Sequence, residues 1–208
     1  MEINIINLKQ RSDRWDYISN LFKDFNIKRF EAIQHKEGWI GCTLSHMELI
    51  KKAKENNEDY LIVMEDDTAL FDVDGFPEKF RKIMDYLPKN LKKWDIFQFG
   101  VTYSVNGNND NVHIINEDLD IIEYQYGQTT NFIVYNKSTY DKMLDNKMIK
   151  LEDDVVDQHM NNFNFRLWTT IPFISYQKDD YSDILLQNIS YKEAFISNEI
   201  YLKSKIKK

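Results

Sequence analysis

The chain has 208 residues, the size of one ordinary domain, and its 42% apolar and 14% aromatic content is that of a globular protein rather than a disordered one. A formal net charge of −7 argues against affinity for nucleic-acid backbones, which requires clustered lysine and arginine. Cys42 is the single cysteine, so no internal disulfide forms, there is no run of ~20 apolar residues for a membrane span, and the first residues read as a strand, so no secretion leader is expected. The expectation is a cytoplasmic protein with no nucleic-acid partner and no transmembrane segment, and the abundance of Asn, Lys and Ile suits an AT-rich bacterial or viral genome.

Ile3 to Leu8 reads as a first strand, followed by a helix from Asp13 to Phe25 with Trp15, Ile18, Leu21, Phe22 and Phe25 on one face. Ser12 is a fitting N-cap and Asn26 a fitting stop. Phe30-Glu31-Ala32-Ile33 reads as a second strand. From Gly41, the recurrence of Leu44, Met47, Ile50 and Ala53 predicts a helix that Asn56-Asn57 ends, with Lys51 and Lys52 facing outward and Cys42 packed as a small side chain. Tyr60-Leu61-Ile62-Val63-Met64 is then a short buried strand ending in Glu65-Asp66-Asp67. A helix near Pro77 to Tyr86 and a strand over Ile96 to Phe99 follow. Thr102 to Asp120 is rich in Asn, Asp and Gly, and reads as a mobile loop or hairpin turning at Asn106-Gly107. The alternation of strand and helix predicts an α/β fold, a mainly parallel central sheet flanked by helices, with ligands at the carboxyl edge of its strands.

Three adjacent carboxylates at such an edge repel one another unless a positive charge neutralises them, and a hard divalent cation, Mn²⁺ or Mg²⁺, prefers oxygen ligands. Acids also end strands simply by opening a solvated turn. His159 is a candidate further ligand against the commoner role of a packed histidine. Glu152-Asp153-Asp154 has the alternative of a helix N-terminus. Arg11 and Arg14 follow the first strand, where a guanidinium can hold phosphate, and Arg11 with Asn7 lies nearest the strand end.

The order Gly41-Cys42-Thr43-Leu44-Ser45-His46, a helix, and an apolar strand ending in Glu65-Asp66-Asp67 resembles glycosyltransferase family 25, which includes bacterial lipooligosaccharide galactosyltransferases and collagen hydroxylysine galactosyltransferases. Ile5-Ile6-Asn7-Leu8 with Arg11, Trp94 to Gly100, Thr130 to Tyr135, Val156-Asp157-Gln158-His159-Met160, Pro172, Gln177 and Ser182-Asp183-Ile184 are similar to further family segments in the same order. Trp39 and Asn131 depart from the usual acid and alanine, and no proline precedes Val156-Asp157. The resemblance implies a single GT-A-like catalytic domain over 1–190, with a C-terminal helix or basic tail over 191–208. It implies a UDP-sugar donor, a glycan or hydroxylysine-type acceptor, and inverting transfer of a hexose, galactose first. Asp67 and Glu65 would then hold the metal, with Glu65 also facing the ribose and Asp66 the weaker candidate. Asp157, then Asp154, would take the acceptor proton. Asn7, Leu8, Arg11, Ser45, His46, Glu65, Asp66 and Gln177 would contact the donor. The alternatives are an inactive nucleotide-sugar-binding or scaffold protein of the same fold and, last, a nucleotidyltransferase, which would carry a glycine-rich loop where Asn7 to Arg11 has no glycine.

Overall fold

The computed structural model describes residues 1–145, 155–182 and 187–207. In chain order the elements are β1 (Ile3–Asn7), α1 (Ser12–Leu21), β2 (Ile27–Glu31), α2 (Gly38–Glu55), β3 (Tyr60–Glu65), β4 (Thr68–Leu70), α3 (Phe76–Tyr86), β5 (Ile96–Gln98), β6 (His113–Asn116), β7 (Ile121–Tyr124), β8 (Phe132–Asn136), α4 (Tyr140–Met143), α5 (Val156–Asn161), β9 (Leu167–Thr170), β10 (Ser175–Gln177), β11 (Asp180–Ser182), β12 (Gln187–Ile189) and α6 (Lys192–Lys205). Eight strands form the central sheet in the order β2-β1-β3-β8-β5-β9-β7-β6. The α/β architecture is the expected one. Parallel pairing joins β2, β1 and β3, and β5 with β9, while β8 enters antiparallel between β3 and β5, and β7 and β6 extend the sheet antiparallel.

β3 shows how the sheet builds two cores. Successive side chains of a strand point to opposite faces, so Leu61 and Val63 enter one cluster with Met47, Ile50 and Tyr135, while Ile62 and Met64 enter the other with Ile18, Phe22, Phe80 and Phe132. The second cluster is aromatic, with Phe99 stacked on Phe132 at 4.0 Å between ring centres. Because both faces are covered, β3 reads as a continuous apolar run that stops where the sheet edge begins.

Several local expectations are corrected. α1 ends at Leu21, short of Phe25, and Ser12 is its first residue rather than its cap; Arg11 holds the cap position without a side-chain bond. The apolar face survives, with Ile18 and Phe22 fully buried, because the chain past Phe22 turns to feed β2 while Phe25 still packs on Phe76 and Phe80. α2 starts three residues before Gly41, and Asn57, in the left-handed region at φ 54°, ends it as expected. In the Thr102 to Asp120 segment Asn106-Gly107 ends a 3₁₀ turn over Ser104–Asn106 rather than making a hairpin. A buried Asn109 ties the segment down, donating to the carbonyls of Ser104 and Tyr126 and accepting the N–H groups of Gln125 and Tyr126. The hairpin between β6 and β7 turns instead over Glu117 to Asp120, where the Asn116 side chain accepts the N–H of Leu119. At the C-terminus α6 is packed, with Phe195 and Leu202 in the core, and Asn198 bonded to Val101 and Ser104. Among the described residues no helix is long and apolar enough to cross a membrane.

Candidate functional site

β1 and β3 run parallel with Ile6 opposite Glu65, so Asn7 and the Glu65-Asp66-Asp67 acids leave the sheet at the same carboxyl edge. β10, paired antiparallel with β4, carries Gln177 opposite Thr68 and back over the acids. α2 flanks them from the other side. Gly41 lies so close to β2's exit that an added Cβ would sit 2.5 Å from the Ile33 carbonyl oxygen, which is why the helix can approach only with glycine there. Ser45 locks the same junction, donating to the Gly41 carbonyl and accepting the Ile33 N–H.

The three acids are held differently. Asp66 accepts from Asn7 Nδ2 at 2.6 Å and from Arg14 Nη1 at 2.9 Å. The same Nη1 reaches Asp67 Oδ2 at 3.1 Å, where Gln177 Nε2 also donates at 3.1 Å. Asp67 Oδ1 is buried and accepts no hydrogen bond. Glu65 Oε1 accepts from the Thr130 hydroxyl at 2.8 Å, with His46 Nε2 at 3.5 Å. Burial, then the charges of Glu65 and Asp66, push the Asp67 carboxyl up to about 7, against the pull of Arg14 and Gln177. Burial also raises Asp66, which Arg14 and Asn7 only partly counter. For Glu65 burial acts upward too, but the adjacent His46, Thr130 and Arg14 bring it below its ordinary value.

Two clefts meet at these acids. The first, about 300 Å³, runs from Leu8, Gln10 and Arg14 past the Ala32 to Lys36 segment to Glu65, Asp66, Asp67 and Gln177. The second, about 320 Å³, is bordered by Trp39, Tyr103, Gln128 to Thr130, Asp157 and Tyr191. Cys42, Glu65 and Gln177 line both. Asp157 stands in the first turn of α5, where its Oδ2 accepts the Thr129 N–H and its Oδ1 that of Gln158. It thereby holds Thr129 in the left-handed region at φ 86°, a costly conformation for a β-branched residue that positions Thr130 against Glu65. Burial raises the Asp157 carboxyl, and its two backbone donors moderate the rise.

The candidate residues therefore separate. Leu8, Glu65, Asp66, Asp67 and Gln177 line the first cleft, Asn7 is buried beneath it and bonded to Asp66, and Asp157 lines the second with Glu65 and Gln177. Asp66, the weaker candidate of the three acids, shares a guanidinium with Asp67. Arg11 pairs with Asp13 at 2.8 Å, and it is Arg14, one helical turn further, that reaches the acids. Their adjacency behind β1 was the available signal, but spacing alone does not tell which one turns inward. Ser45 and His46 are fully buried and act on the site from behind. His159 is fully buried with its ring edge-on to Phe163 and borders neither cleft. Asp154 and Asp183-Ile184 lie outside the described residues. Gln34 and His35 carried no distinguishing pattern in the sequence, and Thr130 stood out only as the start of a segment similar to the family.

A family profile described as glycosyltransferase family 25 (LPS biosynthesis protein) matches residues 36–148, which contain α2, the three acids and Thr130. No curated protein sequence matches the chain. Among solved structures, A197 from STIV is similar at 12% identity with a TM-score of 0.50, covering 85% of this chain and 84% of its own. Apo UDP-glucose pyrophosphorylase is similar at 8% identity and a TM-score of 0.50, covering 98% of this chain and 81% of its own. At these identities the likeness is one of fold.

Proposed function

We propose, from the premise that this chain belongs to glycosyltransferase family 25, that it transfers a hexose, galactose first, from a uridine diphosphate sugar to a hydroxyl of a glycan or hydroxylysine-like acceptor, with inversion. The observation that carries this reading is the meeting of two clefts at one buried acidic strand end. The first cleft would take the nucleotide, with its base beside the Ala32 to Lys36 segment and its diphosphate towards Asp67. The second would take the acceptor, whose attacking hydroxyl gives its proton to the Asp157 carboxylate on the side away from the nucleotide. The backbone donors to Asp157 fix that carboxylate in place, and each of its oxygens keeps a lone pair for the proton.

The residues fit a hard divalent cation, Mn²⁺ or Mg²⁺. Two carboxylates share one guanidinium with a third, Glu65, adjoining them, and Asp67 Oδ1 has no donor although it is buried. Asp67 would hold the ion and Glu65 would contact it or the ribose. When bound, such an ion stabilises the charge that gathers on the leaving diphosphate. Arg14 and Asn7 hold Asp66, Gln177 orients Asp67, and Thr130 orients Glu65, so the acids are in position before substrate arrives. His159 plays no part in this arrangement.

The test is binding and slow hydrolysis of a panel of nucleotide sugars by wild type and Asp67→Asn, with Mn²⁺, Mg²⁺ or EDTA. One uridine diphosphate sugar is expected to bind and turn over in the wild type only with metal. If no nucleotide sugar binds under any condition, the transferase reading gives way to a scaffold that has kept the fold.

A further inference from the structure

The Gly41-Cys42-Thr43-Leu44-Ser45-His46 segment leaves two donor atoms that the proposed transfer does not use. Cys42 and His46 are four residues apart on α2 and so share one face of the helix, which docks on the end of β3 at Glu65. Cys42 Sγ lies 3.9 Å from Glu65 Oε1, His46 Nε2 lies 3.5 Å from that same oxygen, and the three donor atoms are all within 4.8 Å of one another. Tetrahedral zinc, with bonds of about 2.3 Å to sulfur and about 2.0 to 2.1 Å to nitrogen or oxygen, separates its ligands by about 3.6 Å from sulfur to oxygen and about 3.3 Å from nitrogen to oxygen. The two measured edges exceed these by only a few tenths of an ångström.

His46 supplies an independent sign of a ligand. It is fully buried, and its Nε2 makes no hydrogen bond while aimed at Glu65. Its Nδ1 lies 3.1 Å from the hydroxyl of the buried Tyr135. In the ion-bound state the imidazole proton sits on Nδ1 against Tyr135, which leaves the Nε2 lone pair for the metal, the outer-shell arrangement that metal-binding histidines use. Cys42 and Glu65 line both clefts, so a fourth position opens to solvent.

We infer that Cys42, His46 and Glu65 form a three-ligand site for a thiophilic divalent cation of the Zn²⁺ class. Its thiol, imidazole and carboxylate set is softer than the oxygen set around Asp67, so the two sites select different ions. Binding requires the thiolate, and one thiol proton leaves to solvent for each ion bound. The ion engages the Glu65 oxygen that Thr130 now holds and stands in the wall between the clefts, so Zn²⁺ is expected to oppose transfer. That last consequence rests on the proposed function; the binding site does not.

Co²⁺ is the probe, titrated into the full chain under reducing conditions. One equivalent is expected to produce a sulfur-to-cobalt charge-transfer band in the near ultraviolet and tetrahedral visible bands, both erased by one equivalent of Zn²⁺ and untouched by Mg²⁺. Since Cys42 is the only cysteine, the sulfur band has one source. Cys42→Ser is expected to lose that band and weaken Zn²⁺ binding by about 100-fold or more, and Tyr135→Phe, which keeps all three donors, to weaken it about tenfold. A folded wild type without the sulfur band, or Zn²⁺ affinity unchanged in both variants, overturns the site. A protein that turns over no sugar but gives the cobalt spectrum sinks only the transferase reading.

Discussion

Asp67 and Asp95 are buried alike, at 8% and 9% exposure, and both sit at strand ends of the same sheet. Asp95 precedes β5, where Arg166 takes it in a two-pronged grip at 2.8 Å, the Arg166 N–H donates to Oδ2, and Ser138 donates to Oδ1. Burial works against the Asp95 charge, yet those donors hold its carboxyl down at about 2. Asp67 follows β3, shares one guanidinium with Asp66, leaves Oδ1 without a donor and is pushed up to about 7. Burial and placement are therefore alike in the two acids, and what differs is how well each carboxylate is supplied with donors. An under-supplied buried carboxylate is the kind that a cation or a proton stabilises.

The largest expected effect is on Asp67. Asp67→Asn should cut transfer by about 100- to 1,000-fold, the usual cost of losing a charge-stabilising group, while its thermal melt at pH 8 stays level or rises because a like-charge repulsion is gone. Full turnover in this variant would remove Asp67 from the metal assignment. Arg14→Met comes next, with a stability loss of about 3 kcal/mol at neutral pH, since it strands two buried acids. Adding Asp67→Asn to Arg14→Met should recover part of that loss, and a denaturant-based double-mutant cycle with no coupling would show that the guanidinium does not bind the pair as one unit. Asp95→Asn should cost about 1 to 2 kcal/mol, a figure reduced because the Arg166 side chain is 40% exposed, and should leave nucleotide-sugar binding intact.

Much of this was legible because short apolar runs and helical spacing are local signals. β1, the acidic end of β3, the Asn57 stop of α2 and the α3 boundaries follow from adjacent residues. What escaped the sequence depends on long-range choices. Asn106-Gly107 closes a 3₁₀ turn instead of a hairpin, and the loop beyond it is held by four hydrogen bonds to one buried Asn109. β8 entered antiparallel because strand direction is decided by where the chain returns, not by its pattern. Arg14 rather than Arg11 reached the acids because α1 sets its own rotation only on docking Ile18 and Phe22. His159, a candidate ligand beside the commoner packing role, is buried edge-on to Phe163 away from both clefts, a placement that no local pattern encodes.

The smallest effect sharpens the comparison by sign. Asp95 is depressed in the fold from 3.8 to about 2, so its contribution is fully present above about pH 4 and is lost as pH falls towards 2. Asp67 is raised from 3.8 to about 7, so between those values the folded state binds more protons than the unfolded one, and stability declines as pH climbs through that window. Asp66 and Asp157, also raised, add to the decline, whereas Glu65, lowered, opposes it with a contribution that is lost only as pH falls below about 4.5. Denaturation free energies of the metal-free protein should thus rise from pH 2 to about 4 and slope downward towards pH 7. Mn²⁺ at pH 7 to 8 should restore the lost stability in the wild type and do nothing for Asp67→Asn, because a cation at Asp67 favours the charged carboxylate that the apo fold penalises. A profile that is flat from pH 4 to 7 and indifferent to Mn²⁺ would mean that Asp67 is as well supplied as Asp95, and the contrast between the two strand ends would carry no functional information.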